Sequence, residues 1–222
     1  MKTHFQKNGT RAFTRRDLIV IIAMLALLVA MLIPILAAAK RRDSRLNCIS
    51  NLKQVNLALR IWEGDNHNQY PMMVPATNGG AMEWIAAGNI AACFQVMSNE
   101  LSTPKILICP LDRKHVPATN WTTDFNNSHI SYFLNPDASE AYPQEIMIGD
   151  DNLAIDGVPV KSGLVLLSPI AGISWTTERH GRVGNLGFAD GSVAEESSSD
   201  LQNALILATN GTPFTTNGIV IP

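Results

Sequence analysis

Apolar positions in the first third of the chain fall into two consecutive patterns. From Leu18 to Ala39 there are 22 residues without a charge, interrupted only by Pro34. At about 1.5 Å of rise per residue, a helix of that length covers about 33 Å, enough to cross the hydrocarbon core of a bilayer. From Leu46 to Trp62 the apolar residues thin out to Leu46, Ile49, Leu52, Val55, Leu59 and Trp62, spacings of three and four that share one helical face. Neither Gly nor Pro interrupts the path from Ile35 to Glu63. The pattern therefore predicts a helix that is apolar all round at first and amphipathic afterwards, ending near Gly64, where Asp65-Asn66-His67-Asn68 begins.

Beyond residue 64 the pattern predicts an α+β domain. Asn89 is placed to cap a helix running to about Leu101, with Ile90, Cys93, Phe94 and Met97 as its buried face. Short strands are expected at Lys105–Cys109, Ile130–Leu134, Glu145–Ile148 and Gly163–Leu167. Val183, Leu186, Phe188 and Val193 surround Asp190-Gly191, a pair suited to the positive-φ positions of a hairpin turn. Ser199 or Asp200 begins a helix carrying Leu201, Leu205 and Ala208, stopped by Asn210-Gly211, and Phe214–Ile221 adds a last strand. Loops are expected around Asn78-Gly79-Gly80 and from Pro117 to Asn127.

Charge divides the chain in the same place as hydropathy. Residues Met1–Arg45 hold nine Lys/Arg against two acids, and Leu46–Pro222 hold eight against seventeen. An acidic second part is repelled by phosphate backbones, which argues against nucleic-acid binding, whereas the basic flanks suit anionic lipid headgroups. The 222 residues leave room for one extramembranous domain.

The apolar segment admits three readings: a signal peptide, a plain anchor, or a helix that is both anchor and assembly element. Thr14-Arg15-Arg16-Asp17-Leu18-Ile19 resembles a twin-arginine export signal and Ala37-Ala38-Ala39 a small-residue cleavage site, although 22 apolar residues exceed the usual core of such a signal. On that reading residues 1–39 are removed and the mature protein is a soluble periplasmic binding protein.

Candidate chemistry is sparse. Cys48, Cys93 and Cys109 allow one disulfide with three choices of pair, or serve as buried small hydrophobes. The run Gly149-Asp150-Asp151-Asn152, with Asp156 nearby, resembles a calcium loop in composition, but its spacing fails the EF-hand pattern, so a solvated turn is expected there. His180 reads as a loop or strand-edge group and Asp190 as a turn residue; the sharper alternative is a metal site drawing on Asp150, Asp151, His180 and Asp190. No Gly-x-Ser-x-Gly elbow, phosphate-cradling loop or His-Glu-x-x-His helix occurs, and Cys109-Pro110 lacks a local nucleophile signature, so an enzyme is not expected.

Two sets of residues carry a family resemblance. Ala12-Phe13-Thr14, the acid at Asp17, the apolar run and Pro34 resemble the N-terminus of type IV prepilins and type II secretion pseudopilins. The family usually has Gly where this chain has Ala12, apolar residues at Arg15 and Arg16, and Glu at Asp17. Independently, Cys48-Ile49-Ser50-Asn51-Leu52-Lys53-Gln54, the stretch from Trp62 to Pro71, Cys109-Pro110-Leu111-Asp112, and His180 followed after nine residues by Asp190-Gly191 resemble a bacterial pseudopilin-like subfamily.

The resemblance implies a leader at 1–12 cut by a prepilin peptidase between Ala12 and Phe13, with methylation of Phe13. It further implies a transmembrane assembly helix at 13–39, a helical stem at 40–63 and a periplasmic α+β head at 64–222. The expected protein is a single-pass subunit of the inner membrane, N-terminus cytoplasmic, serving a secretion or pilus-like filament. Its partners would be other pilin or pseudopilin subunits, the peptidase and membrane lipid. Asp17 would pair with a neighbouring subunit's terminal amine, since a carboxylate in lipid is expensive unless paired. No cofactor is required, although secretion pseudopilins that bind calcium in a C-terminal loop make calcium the one to consider.

Overall fold

The computed structural model describes residues 14–210, 212 and 216–222; Ala12 and Phe13, the expected processing site, lie outside them. The α+β class expected from the sequence is the one found, with a long N-terminal helix and antiparallel sheets. Helix α1 spans Arg15–Asp65, and the chain divides into two compact units, Met1–Asp43 and Ser44–Pro222.

In the first unit α1 is long and apolar enough to cross a membrane, and its large side chains are exposed, Leu25 and Ile35 among them. Pro34 sits inside the helix, where it removes one backbone hydrogen bond, a loss that transmembrane helices tolerate. Thr14 and Asp17 form a reciprocal cap at its start: the Thr14 N–H donates to Asp17 Oδ2 at 2.9 Å and the Asp17 N–H donates to Thr14 Oγ1 at 3.3 Å.

In the second unit the remainder of α1 buries Cys48, Leu52, Val55, Ala58, Leu59 and Trp62 in the main core. Spacings of three and four produce this stripe, as the sequence predicts, but Leu46 remains exposed. Burying each fully enclosed aliphatic side chain contributes about 1.5 to 3 kcal/mol.

Short helices follow: α2 at Met82–Ala86, α3 at Ile90–Val96 and α4 at Ser98–Leu101. Asn89 caps α3 as expected, accepting from the Ala92 N–H at 3.4 Å, and Ile90, Cys93, Phe94 and Met97 are all buried. The expected single helix to Leu101 breaks at Met97, which is the C-cap of α3 and the N-cap of α4. The expected strand at Lys105–Cys109 is instead a 3-10 turn over Pro104–Leu107 leading into extended chain. Pro104 lacks a ladder donor and Thr103 accepts from the Lys105 N–H, both of which favour a turn.

The strands are β1 (Tyr132–Leu134), β2 (Ile146–Asp150), β3 (Leu153–Ile155), β4 (Val158–Pro159), β5 (Gly163–Leu167), β6 (Ile173–Trp175), β7 (Val183–Phe188), β8 (Val193–Ser197) and β9 (Asn217–Ile221). One antiparallel sheet has the order β5-β9-β1-β2-β7-β8, and a smaller one the order β4-β3-β6. Helix α5, Ser198–Thr209, starts with a capping box between Ser197 and Asp200 and packs Leu201 and Leu205 into a second core cluster. That cluster includes Phe133, Trp175 and Ile219 from the strands.

Two hairpins connect these strands. Asp156 and Gly157 join β3 to β4 with φ of 50° and 80°, the paired left-handed residues of a type I′ turn, so Asp156 is a turn residue rather than a member of a calcium loop. Asp190-Gly191 joins β7 to β8 as expected, but only Gly191 has positive φ, at 89°. Asp190 accepts from the Ser192 N–H at 2.8 Å, an Asx turn that explains its presence.

Candidate functional site: a buried Cys-Cys-His-Asp cluster

The sheet and the second part of α1 bring four chemically distinctive side chains together. Cys48 faces the core from α1, Cys109 follows the Pro104–Leu107 turn, Asp150 ends β2 and His180 lies in the connection from β6 to β7. All four are buried. Each offers one sulfur, nitrogen or oxygen atom such that the four atoms lie within 4.8 Å of one another.

Local structure fixes each member. The Asn51 amide, one helical turn beyond Cys48, donates to the Ile108 carbonyl at 3.2 Å and ties the Cys109 segment to α1. That segment folds back through a turn in which the Asp112 N–H donates to the Cys109 carbonyl at 2.8 Å. Asp150 faces β7 across the sheet, and both the backbone N–H and the Nδ2 of Asn185 donate to its Oδ2, at 2.8 and 2.9 Å. His180 begins three successive left-handed residues, with φ of 49°, 68° and 70° through Arg182. Such backbone is costly for non-glycine residues and persists only where surrounding contacts hold it. Arg45 supplies one of these, donating from Nη2 to the His180 carbonyl at 2.7 Å.

Within the cluster His180 Nε2 lies 3.2 Å from Cys109 Sγ and 3.5 Å from Asp150 Oδ2. Cys48 Sγ lies 3.6 Å from Asp150 Oδ1 and 3.7 Å from the Tyr132 hydroxyl. Asn185 Nδ2 also approaches Cys48 Sγ at 3.4 Å. A hydrogen bond from Cys48, helped by the imidazole of His180, holds the Cys109 thiol down to about 5 against the effect of burial. The same Cys48–Cys109 contact, then burial and the Asp150 charge, push the Cys48 thiol up. Burial and then the neighbouring Cys109 raise the Asp150 carboxyl to about 6. Burial opposes protonation of His180, but Cys109 and Asp150 outweigh it and raise its pKa.

A second cluster uses the same chain segments. Arg179 Nη2 pairs with Asp112 Oδ2 at 2.8 Å and with Asp151, while Nη1 donates to the Ser131 carbonyl at 2.9 Å. His115 Nδ1 and the Ser131 hydroxyl each lie 2.7 Å from Asp112 Oδ2. Burial opposes ionisation of Asp112, but the His115 hydrogen bond, the Arg179 charge and the Ser131 hydroxyl prevail and hold its carboxyl well below the usual range. Thus 109 and 112, 150 and 151, and 179 and 180 divide between two clusters. The ion network pins the segments that present Cys109, Asp150 and His180.

This arrangement revises the expected site. Gly149-Asp150-Asp151-Asn152 is buried, not a solvated turn, because β2 lies inside the sheet between β1 and β7. His180 lies in the β6–β7 loop, one of the two places expected for it, and is buried there. Of the candidate metal ligands, His180 and Asp150 meet, Asp151 belongs to the Arg179 network, and Asp190 is an exposed turn residue. Two of the three cysteines meet, Cys48 and Cys109; all three are free and Cys93 is buried in the core without joining them. The sequence signal for the site lay in the motif pieces at Cys48, Cys109 and His180, whose convergence their separation along the chain concealed. Compared with protein-family models, curated proteins and solved structures, the chain matches none.

Proposed function

We propose that the protein is a membrane-anchored, pilin-like structural subunit, with its N-terminus cytoplasmic and residues 64–222 in the periplasm. One observation carries this reading: helix α1 runs unbroken from an apolar, exposed stretch into a stripe that forms part of the core of the second unit. A signal peptide discarded after export gains nothing from that continuity. In the proposed role the apolar stretch packs against sister subunits in a filament of a type II secretion or type IV pilus-like machine. A prepilin peptidase releases and methylates Phe13. The reading involves no catalytic step, and the burial of Cys109 and His180 supports that, since a nucleophile must reach its substrate.

Asp17 caps α1 through Thr14, and in the assembled filament its charge pairs with a neighbouring amino terminus. Asp17→Asn separates these two tasks, because an amide oxygen still accepts from the Thr14 N–H but carries no charge. Cysteine cross-linking between subunits in membranes is expected to disappear in Asp17→Asn; retained cross-linking overturns the assembly role of the charge. Mass spectrometry of the mature chain tests the larger reading. An N-terminus at methylated Phe13 supports it, and one near Lys40 refutes it in favour of an exported soluble protein.

A further inference from the structure

We propose that Cys48, Cys109, Asp150 and His180 form a structural site for a four-coordinate, thiophilic divalent cation of the zinc type. The donor set is two sulfurs, one imidazole nitrogen and one carboxylate oxygen, drawn from four separate segments and enclosed in the protein. Mixed sulfur and nitrogen donors in tetrahedral number suit zinc, whereas calcium and magnesium require oxygen shells.

Edge lengths agree with that geometry. Bond lengths of about 2.0 to 2.3 Å to a tetrahedral zinc imply donor–donor separations of about 3.3 to 3.8 Å. Two of the separations are 3.2 Å between Cys109 Sγ and His180 Nε2 and 3.6 Å between Cys48 Sγ and Asp150 Oδ1. The remaining donor pairs need to contract only from within 4.8 Å. A purely apolar core has no reason to gather these donors, and a disulfide between the sulfurs would leave Asp150 and His180 unexplained.

Surrounding donors are those that metal-bound thiolates and carboxylates need. Asn185 Nδ2 points at Cys48 Sγ from 3.4 Å and, together with its backbone N–H, saturates Asp150 Oδ2, leaving Oδ1 for the ion. Such outer contacts orient ligands and tune their basicity. In the loaded site both sulfurs are thiolates and His180 is neutral imidazole, any protons they held having gone to solvent. Two thiolates, one carboxylate and a dication then leave a net charge of −1, which the Asn185 N–H dipoles face. Arg179, paired in the adjoining network, adds a nearby positive charge.

The test uses the full chain, purified in detergent under reducing conditions and titrated with Co²⁺. We expect one equivalent to bind, giving a thiolate-to-cobalt charge-transfer band and the intense visible bands of a four-coordinate ion, both removed by one equivalent of Zn²⁺. Cys93→Ala keeps the bands, Asn185→Ala weakens binding about 10- to 100-fold, and the double variant Cys48→Ser/Cys109→Ser has no charge-transfer band. Where the double variant fails to fold, X-ray absorption on the zinc-loaded wild type decides: two sulfur and two lighter scatterers at about 2.3 and 2.0 Å are expected. A folded, reduced wild type that gives no charge-transfer band overturns the proposal. So does any other sulfur count, or a Cys48–Cys109 disulfide in the protein as isolated.

Discussion

Nε2 of His180 lies 3.2 Å from the sulfur of Cys109, although 71 residues separate them in the chain. The contact depends on Arg179, the residue just before His180, which is paired to Asp112, three residues after Cys109. The two clusters are therefore mechanically linked: the ion network sets the spacing of the segments that carry the thiol and the imidazole.

Arg179 should accordingly be among the most costly positions to neutralise. Arg179→Met leaves Asp112 and Asp151 buried without their shared cation, and breaking a buried pair in this way costs about 3 to 5 kcal/mol. Urea unfolding of the purified protein measures the loss. Adding Asp112→Asn and Asp151→Asn to Arg179→Met is expected to recover part of it, because the uncompensated charges are gone.

Acid should expose the contribution of Asp112. Its carboxyl is held below the ordinary value in the folded chain, so the stability it provides is fully present above about pH 4 and is lost as pH falls through the folded value. Melting temperature against pH should drop below about pH 4 in the wild type. Asp112→Asn should start lower at neutral pH and show a shallower decline over that acid window; an unchanged slope would count against the ion network as the source.

Gly184 on β7 packs against the face of Trp175, where an added Cβ would come within 2.5 Å of ring atom Cε3. Neither backbone nor ring can yield easily inside a sheet, so Gly184→Ala should cost about 1 to 3 kcal/mol by overpacking. Gly64 provides the control. Nothing lies within 4 Å of a Cβ built there, and Gly64→Ala should leave stability unchanged or slightly raised.

Ser197 accepts from the Asp200 N–H while Asp200 accepts from the Ser197 N–H, so each relieves an orphan donor at the start of α5. Ser197→Ala removes half of that exchange and should cost about 1 kcal/mol, whereas Ser197→Gly should cost only a few tenths. Equilibrium unfolding of the two variants distinguishes the cap from a general effect of losing the hydroxyl.

Elements with a local cause were legible in the sequence. The stem stripe, the Asn89 cap, the strand Gly163–Leu167 and the Asp190-Gly191 hairpin each show in a pattern of neighbouring residues. The start of α5 was legible to within two residues, because the capping box needs only Ser197 and Asp200. The smaller sheet was not anticipated, although Asp156-Gly157 offered a turn signal, because β3, β4 and β6 are only two or three residues long and leave no period to detect. Lys105–Cys109 misled because its apolar residues suit a strand, while Pro104 and Thr103 just before them dictate a turn.

What the sequence by itself determined is the division of the chain: an apolar helix long enough for a bilayer, an amphipathic continuation, an acidic α+β remainder, and the motif pieces around Cys48, Cys109 and His180. The division follows from periodicity and composition, which act over one or two turns, and the motif pieces from resemblance to a pseudopilin-like subfamily. Only the tertiary structure decided that Asp150 is buried and Asp190 exposed, that Cys93 stands apart from Cys48 and Cys109, and that His180 faces a sulfur. Those outcomes depend on which strand lies at the centre of the sheet and which loop is pinned by Arg179, relationships between residues tens of positions apart that no local pattern encodes.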